Sequence, residues 1–568
     1  MAAKGVDAYL QSVHDEWLGE YPPASNRRLE WLTGFSGSAG MVLVLMDKAA
    51  LFTDGRYTLQ ARGQVGKEYE ILNSADISPQ DWLAQQLKPV SKIGYDPKLY
   101  TKPMLDKFSA FKTISTDNLI DRLWEGRPSA PATKIFAHDI KYSGESSKEK
   151  RDRISHTIRK SGAEAAFIAA PESVCWLLNI RARDVENTPL CLAFAILDKF
   201  GKVQLFVDSS RLDNDVRVHL GDDVKICASD NLQAELRIFS QKTMLCDLQA
   251  TPVYITGLFN EANIKILDAK DPCMLPKAMK NSTEISGMKK AHIRDGVAVV
   301  KLLCWLDSQK TVSEIDVVDK LLLFRKQNDL FVEPSFDTIA GSGEHGAIVH
   351  YRASRESNRN LQQGELFLLD SGGQYYDGTT DITRTVAIGT PTSEHKDRFT
   401  SVLKGHIALA TAQFPQGTCG SQLDVLARQY LWQKGLDYDH GTGHGVGCFL
   451  GVHEGPQGIS KRAGGEPIAP GMVISNEPGY YKSGGYGIRI ENLVAVVEKS
   501  VGETGRQFFG FETITCAPID INLIDSSILT DAEKKWLNSY HEWVKSELSP
   551  LLDGKEREWL ETKCCVVS

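Results

Sequence analysis

The chain has 568 residues, 42% hydrophobic and 24% charged, with a net charge of −8. That length suggests roughly three to four domains, with apolar material for several cores. Clustered Lys and Arg are lacking, which excludes recognition of a phosphate backbone, so nucleic acid is not an expected partner.

The opening Met1-Ala2-Ala3-Lys4-Gly5-Val6-Asp7 lacks the charged-then-apolar pattern of a secretory signal. No apolar run approaches the ~20 residues of a membrane span. Eleven scattered cysteines, with no Cys-x-x-Cys, fit reduced thiols and a cytoplasmic setting. Two amino-terminal segments read as copies of one fold. Trp31-Leu32 precedes an apolar strand at 41–45 and then Leu51-Phe52-Thr53-Asp54. Trp176-Leu177 precedes a strand at 192–196 and then Leu205-Phe206-Val207-Asp208. Helices such as 146–161 alternate with these strands, giving α/β domains. Gly34 to Gly40 lacks the Gly-Lys-Ser/Thr of a phosphate loop and reads as a tight turn. The Pro/Ala/Ser-rich run from Gly126 to Thr133 reads as a linker, and Asp271-Pro272 marks a second boundary. These divide the chain into domains 1–130, 131–280 and 281–568. Lys277, Lys280 and the Lys289-Lys290 pair read as solvated faces. Ser282 and Thr283 fit a helix start before Glu284.

The third domain also reads as duplicated. One helix-rich stretch, 284–327, precedes the strand 366–370, a Gly372-Gly373 turn and a Thr/Val-rich return from Asp381. A second, 397–413 with 421–434, precedes the strand 472–477 and a returning strand at 487–496. Asp370 and Asp381 flank the first turn, and Glu477 and Glu491 the second. Between them lies His440-Gly441-Thr442-Gly443-His444-Gly445-Val446-Gly447, rich enough in glycine for close backbone approach. A lone Asp at a strand end is usually a turn residue. Four carboxylates and an imidazole placed this way are another matter. Buried together they repel one another and lose hydration, so they need cations. Two divalent ions would neutralise them and activate a water for hydrolysis. Carboxylate-dominated ligands favour a hard ion such as manganese.

The segment 440–447, with Val452-His453-Glu454-Gly455-Pro456, Gly346-Ala347-Ile348-Val349-His350-Tyr351 and the run Asp377 to Thr385, resembles the pita-bread metallopeptidases. This is the family of methionine aminopeptidase, prolidase and aminopeptidase P, and the likeness is greatest to its Xaa-Pro aminopeptidases. The likeness is dense over about 335 to 515 and weaker back to the amino terminus. It implies an α/β (α+β) fold class: two related amino-terminal α/β domains followed by a pseudo-symmetric pita-bread domain. It implies an aminopeptidase that releases the first residue of short peptides with proline second, by attack of a metal-bridging hydroxide. Asp381 and Glu491 would bridge the two ions, Asp370 would complete one, and His444 with Glu477 the other. Glu477 would also move the proton of the attacking water. His350, His440 and His453 would surround the substrate, with His350 and His453 nearest the peptide carbonyls. Arg489 would bind substrate or, sharing a strand face with Glu491, hold a ligand carboxylate. The similar proteins dimerise, which implies a homodimer. Where the family loop often reads Gly-Pro-Asn-Gly, this chain has Gly343-Glu344-His345-Gly346, which puts a second histidine, His345, on the substrate side.

The ending Cys565-Val566-Val567-Ser568 fits a prenylation motif, and Cys564 offers a palmitoylation site. Either would make a weak lipid anchor, since the preceding stretch is not polybasic. Two other readings are a prolidase-like dipeptidase, for which the chain is long, and a metal-free binding module, which would be expected to lose ligands.

Overall fold

The computed structural model describes residues 1–503 and 505–568. It separates into two compact units, one of 1–140 with 145–274, the other of 141–144 with 275–568.

The first unit holds two six-stranded sheets built to one plan. In the first, the strands in chain order are Ala8–Ser12, Met41–Val44, Ala49–Thr53, Tyr69–Asn73, Lys92–Tyr95 and Lys112–Ser115. Numbered along the chain, they lie in the spatial order 4-3-2-1-5-6. The second sheet repeats that order with Ala165–Ile168, Phe194–Asp198, Val203–Phe206, Val224–Cys227, Thr243–Cys246 and Lys265–Asp268. The directions match too: the first three strands pair antiparallel and the others join in parallel. Each parallel step needs a crossover, and short helices supply it. Leu10, Leu43, Phe52 and Ile93 are buried around one sheet, and Phe167, Ile196, Leu236 and Phe259 around the other. The helix read at 146–161 is Ser147–Lys160. Ser146 caps it and Glu149 returns a bond to the cap, a capping box.

The second unit is also doubled. Helices Ser282–Asp307 and Glu314–Arg325 precede a sheet whose central strand, Leu366–Ser371, pairs with Ile382–Ala387. Helices Ser393–Ala410 and Gly420–Trp432 precede a sheet in which Val473–Asn476 pairs with Asn492–Val501. The cap of the Ser282–Asp307 helix is Asn281, one residue before the expected pair. Its side chain accepts from the amides of Thr283 and Glu284, and Glu284 accepts from its amide.

Two expectations need correction here. The returning strand 487–496 is not one element: Tyr486–Arg489 pairs with Gly479–Lys482, and pairing with Val473–Asn476 resumes only at Asn492. The break exists because the Glu491 amide leaves its own sheet and donates to the Thr383 carbonyl of the other half, 3.2 Å away. Lys277 and Lys280 are not solvated; both are buried, at 2.8 and 2.5 Å from Glu454. A carboxylate buried among its neighbours needs such counter-charges, and Glu454 obtains two.

Helices Asp531–Leu548 and Gly554–Lys563 pack across both halves, with Leu537, Val544 and Leu560 in one cluster with Val300 and Leu366 of the first half and Phe399 and Val402 of the second. Cys564 is buried in the same cluster, whereas Cys565 is exposed. Asn538 grips the tail, donating to the Val567 carbonyl at 3.0 Å and accepting from its amide at 2.9 Å. Among the described residues, no helix is long and apolar enough to cross a membrane.

Candidate metal centre

Asp370 lies near the end of the Leu366–Ser371 strand, and Asp381 immediately precedes the strand that pairs with it. Glu477 follows Val473–Asn476, and Glu491 precedes Asn492–Val501. Each half therefore carries one carboxylate on either side of a strand pair. The halves are stitched where these meet: Thr383 donates its hydroxyl to Glu491 Oε2 at 2.8 Å, and the Thr385 hydroxyl exchanges bonds with the Arg489 backbone at 3.0 Å.

His444 comes from the short strand Gly443–His444. Neither glycine beside it can carry a side chain. A Cβ on Gly443 would sit 2.0 Å from the Ser475 carbonyl oxygen, and one on Gly445 equally close to that of Glu454. His444 Nδ1 donates to the Gly445 carbonyl at 2.9 Å. Its Nε2 faces Asp381 Oδ2 at 3.4 Å and Glu477 Oε1 at 3.5 Å.

Among the described residues, ligand atoms of Asp381, His444 and Glu491 lie within 4.8 Å of one another. Burial raises the pKa of Asp381 well above the usual carboxylate range, and repulsion from Asp370 and Glu477 adds to it. Glu491 is raised well above its range by burial, then by Asp381, Glu477 and Asp370. Asp370 Oδ1 and Glu491 Oε1 are buried without a hydrogen-bond partner among the described residues. Unpartnered oxygens, mutual repulsion and an inward-facing imidazole nitrogen are what a cation-binding donor set requires, and the oxygen-rich chemistry suits hard divalent ions.

Arg489 is buried and donates to Asp370 Oδ2 and to the Tyr481 hydroxyl, both at 2.5 Å. Burial opposes its charge, but Tyr481, Asp370 and Glu477 more than offset that and raise its pKa. The chain of donors continues. Tyr481 bonds to His440 Nε2 at 2.8 Å, and His440 Nδ1 to the Gly441 carbonyl at 2.7 Å. His453 packs edge-on against His444, ring centres 4.3 Å apart. His350 is half-buried, and the preceding Val349 carbonyl accepts from Arg489 at 3.3 Å. His345 does not join this group. Its Nδ1 lies 2.9 Å from Oε1 of the buried Glu314, which also accepts from the Ser342 amide and the Tyr351 hydroxyl. Glu314 thus pins the loop carrying His350.

Thr383, Tyr481 and Ser475 were not singled out from sequence. Ser475 donates to Glu477 and accepts from the His444 amide. The alternation Asp381, Thr383, Thr385 on one strand face would have pointed to Thr383.

Comparison with known proteins agrees with this architecture. Residues 286–498 match the profile of metallopeptidase family M24 and 507–566 that of the C-terminal region of peptidase M24. Residues 1–123 and 126–284 match two profiles of the creatinase/prolidase N-terminal domain. A probable Xaa-Pro aminopeptidase P of Laccaria bicolor is 40% identical over 597 residues, covering 99% of this chain and 91% of that protein. Aminopeptidase P2 of Arabidopsis thaliana is 38% identical, covering 98% of this chain and 85% of that protein. The crystal structure of X-prolyl aminopeptidase from Caenorhabditis elegans, described as a cytosolic enzyme with a di-nuclear active site, superimposes with a TM-score of 0.94. It is 35% identical over 99% of this chain and 95% of that one. The Xaa-Pro dipeptidase of Bacillus anthracis, 25% identical, covers 66% of this chain and 99% of its own, with a TM-score of 0.53. With relatives of this identity aligned almost end to end, the chain belongs to metallopeptidase family M24, in its aminopeptidase P group.

Proposed function

We propose that this protein is a dinuclear-metal Xaa-Pro aminopeptidase, removing the first residue of short peptides whose second residue is proline. The observation that carries this is the convergence of Asp381, His444 and Glu491 within 4.8 Å, beside two buried oxygens that lack hydrogen-bond partners among the described residues. Asp381 and Glu491, one from each half, would serve both ions; Asp370 would complete one site, and His444 with Glu477 the other. Manganese is the ion we favour for this donor set. When bound, the ions supply Lewis acidity and a hydrolytic water at neutral pH.

The chain's own residues do the rest. Glu477 accepts the proton of the attacking water and delivers it to the departing prolyl nitrogen, which as a tertiary amide has no proton of its own. His350 and His453 donate to peptide carbonyls where negative charge develops. Arg489 and His440, already committed to Asp370, Tyr481 and Gly441, act by positioning rather than by contacting substrate. No N–H of the scissile bond is needed, which is why a prolyl linkage is accepted.

A prolidase-like dipeptidase fits less well, because the B. anthracis dipeptidase accounts for only 66% of this chain. A metal-free binding module would not need to keep five ligand-type side chains in place. We place the enzyme in the cytosol as a homodimer. A prenyl anchor at Cys565 is disfavoured, since it would have to draw the last residues away from Asn538. The test is hydrolysis of Arg-Pro-Pro by wild type and Asp381→Asn, with and without added manganese. Wild type should release arginine, manganese should increase the rate, and the variant should be inactive. Equal turnover by the variant would refute the reading. Cleavage of dipeptides alone would support the prolidase alternative.

A further inference from the structure

Behind the ligand cluster, each half of the second unit contains a buried Asp–Arg pair for which the proposed hydrolysis has no use. In the first half, Asp295 of the Ser282–Asp307 helix accepts from Arg325 Nε at 2.6 Å and Nη2 at 3.0 Å. It also accepts from the Tyr375 hydroxyl at 2.9 Å and the Thr380 hydroxyl at 2.7 Å. In the second half, Asp424 accepts from Arg428 Nε at 2.6 Å and from the Thr442 hydroxyl at 2.5 Å. Tyr438 completes the set, its hydroxyl 2.6 Å from Thr442 Oγ1 and its ring under the Arg428 guanidinium at 3.8 Å. All eight side chains are buried.

The two clusters use the same four residue types, and both end on a threonine beside ligands. Thr380 immediately precedes Asp381, and Arg325 also donates to Ser371, the residue after Asp370, at 3.0 Å. Thr442 lies two residues before His444, and its carbonyl accepts from the Glu477 amide at 2.8 Å. Arg428 holds the same loop through the carbonyls of Tyr438 and His440 at 2.6 and 2.8 Å.

A buried ion pair is weak evidence for stability, because desolvation rivals the attraction. Two such pairs, alike in composition and both tied to ligand-bearing loops, have a better explanation in geometry. Carboxylates that repel one another spread apart when the ions leave, unless the backbone beneath them is held. We propose that Asp295–Arg325 and Asp424–Arg428 are matched clamps, acting through Thr380 and Thr442 as positioning residues that keep the ligands at ion-binding separation; this rests on the reading of the cluster as a dinuclear metal site.

The test is manganese binding to metal-stripped full-length protein by titration calorimetry, with thermal melting to monitor the fold. Thr380→Val and Thr442→Val remove one hydroxyl each and leave both ion pairs intact. Each should weaken manganese binding about tenfold, as the loss of outer support to a metal site does. Thr380→Ser and Thr442→Ser keep the hydroxyl and should restore wild-type affinity. A folded Val variant that binds manganese as tightly as wild type overturns the clamp in that half, and so does a folded Ser variant that fails to restore binding. Asp381→Asn is the control for the underlying reading. If it binds two ions as wild type does, the metal site itself is refuted; if it loses them while the Val variants do not, only the clamps are.

Discussion

The electrostatics of the cluster give a signed prediction about pH. Asp381 and Glu491 start from ordinary values of 3.8 and 4.5, and in the folded, metal-free chain both are raised well above them. The folded state therefore holds protons that the unfolded state has released. The stabilisation they give is complete below pH about 4 and is lost as pH rises through the raised values. Ions displace those protons and remove the penalty. Hence the stability gained on adding manganese should grow with pH, by about 1.4 kcal/mol per pH unit for each proton displaced. The increase continues for as long as the folded, metal-free chain still holds a proton that the ions must displace. Buried histidines act in the opposite sense: His292 and His541 are lowered to about 4 and His406 to about 3 by burial, so their contribution rises with pH up to about 6.5. They are common to both forms and cancel in the difference. The assay is thermal melting of the full-length protein, stripped and manganese-loaded, at a series of pH values. A manganese-induced increase in Tm that stays constant or shrinks as pH rises would refute the argument.

Two further outcomes follow from the packing. Gly443→Ala places a methyl 2.0 Å from the Ser475 carbonyl; it should cost about 1–3 kcal/mol of stability and, by shifting His444, lower kcat about 100-fold, which melting and steady-state kinetics would show. Lys280→Met leaves Glu454 with one counter-charge; the loss should be about 3–5 kcal/mol, read as a lower Tm, with Arg-Pro-Pro turnover surviving below the new transition.

Local pattern carried much of this architecture. The carboxylates could be read because each stands where an apolar run meets a turn, and the Gly-His-Gly segment because glycine is needed for close approach. The doubling of both units was legible from the order of apolar strands. The misreadings share a cause: the deciding partner is distant in sequence. Lys280 looks like a surface lysine because Glu454 lies 174 positions away. His345 looks like a pocket residue until Glu314 claims it. The run 487–496 alternates like one strand, and nothing local reveals that Thr383 takes the Glu491 amide. The Asp–Arg pairs were invisible for the same reason in the first half. In the second half, Asp424 and Arg428 stand one helical turn apart, a spacing that usually marks an exposed pair.

The stitching of Thr383 to Glu491 has an implication for how such an enzyme can be divided. One copy of the repeated half brings two acidic groups, enough to balance a single doubly charged ion and no more. A pair of ions demands both copies, folded face to face. The two-ion chemistry proposed here is thus a property of the doubled chain, and trimming away either half removes it.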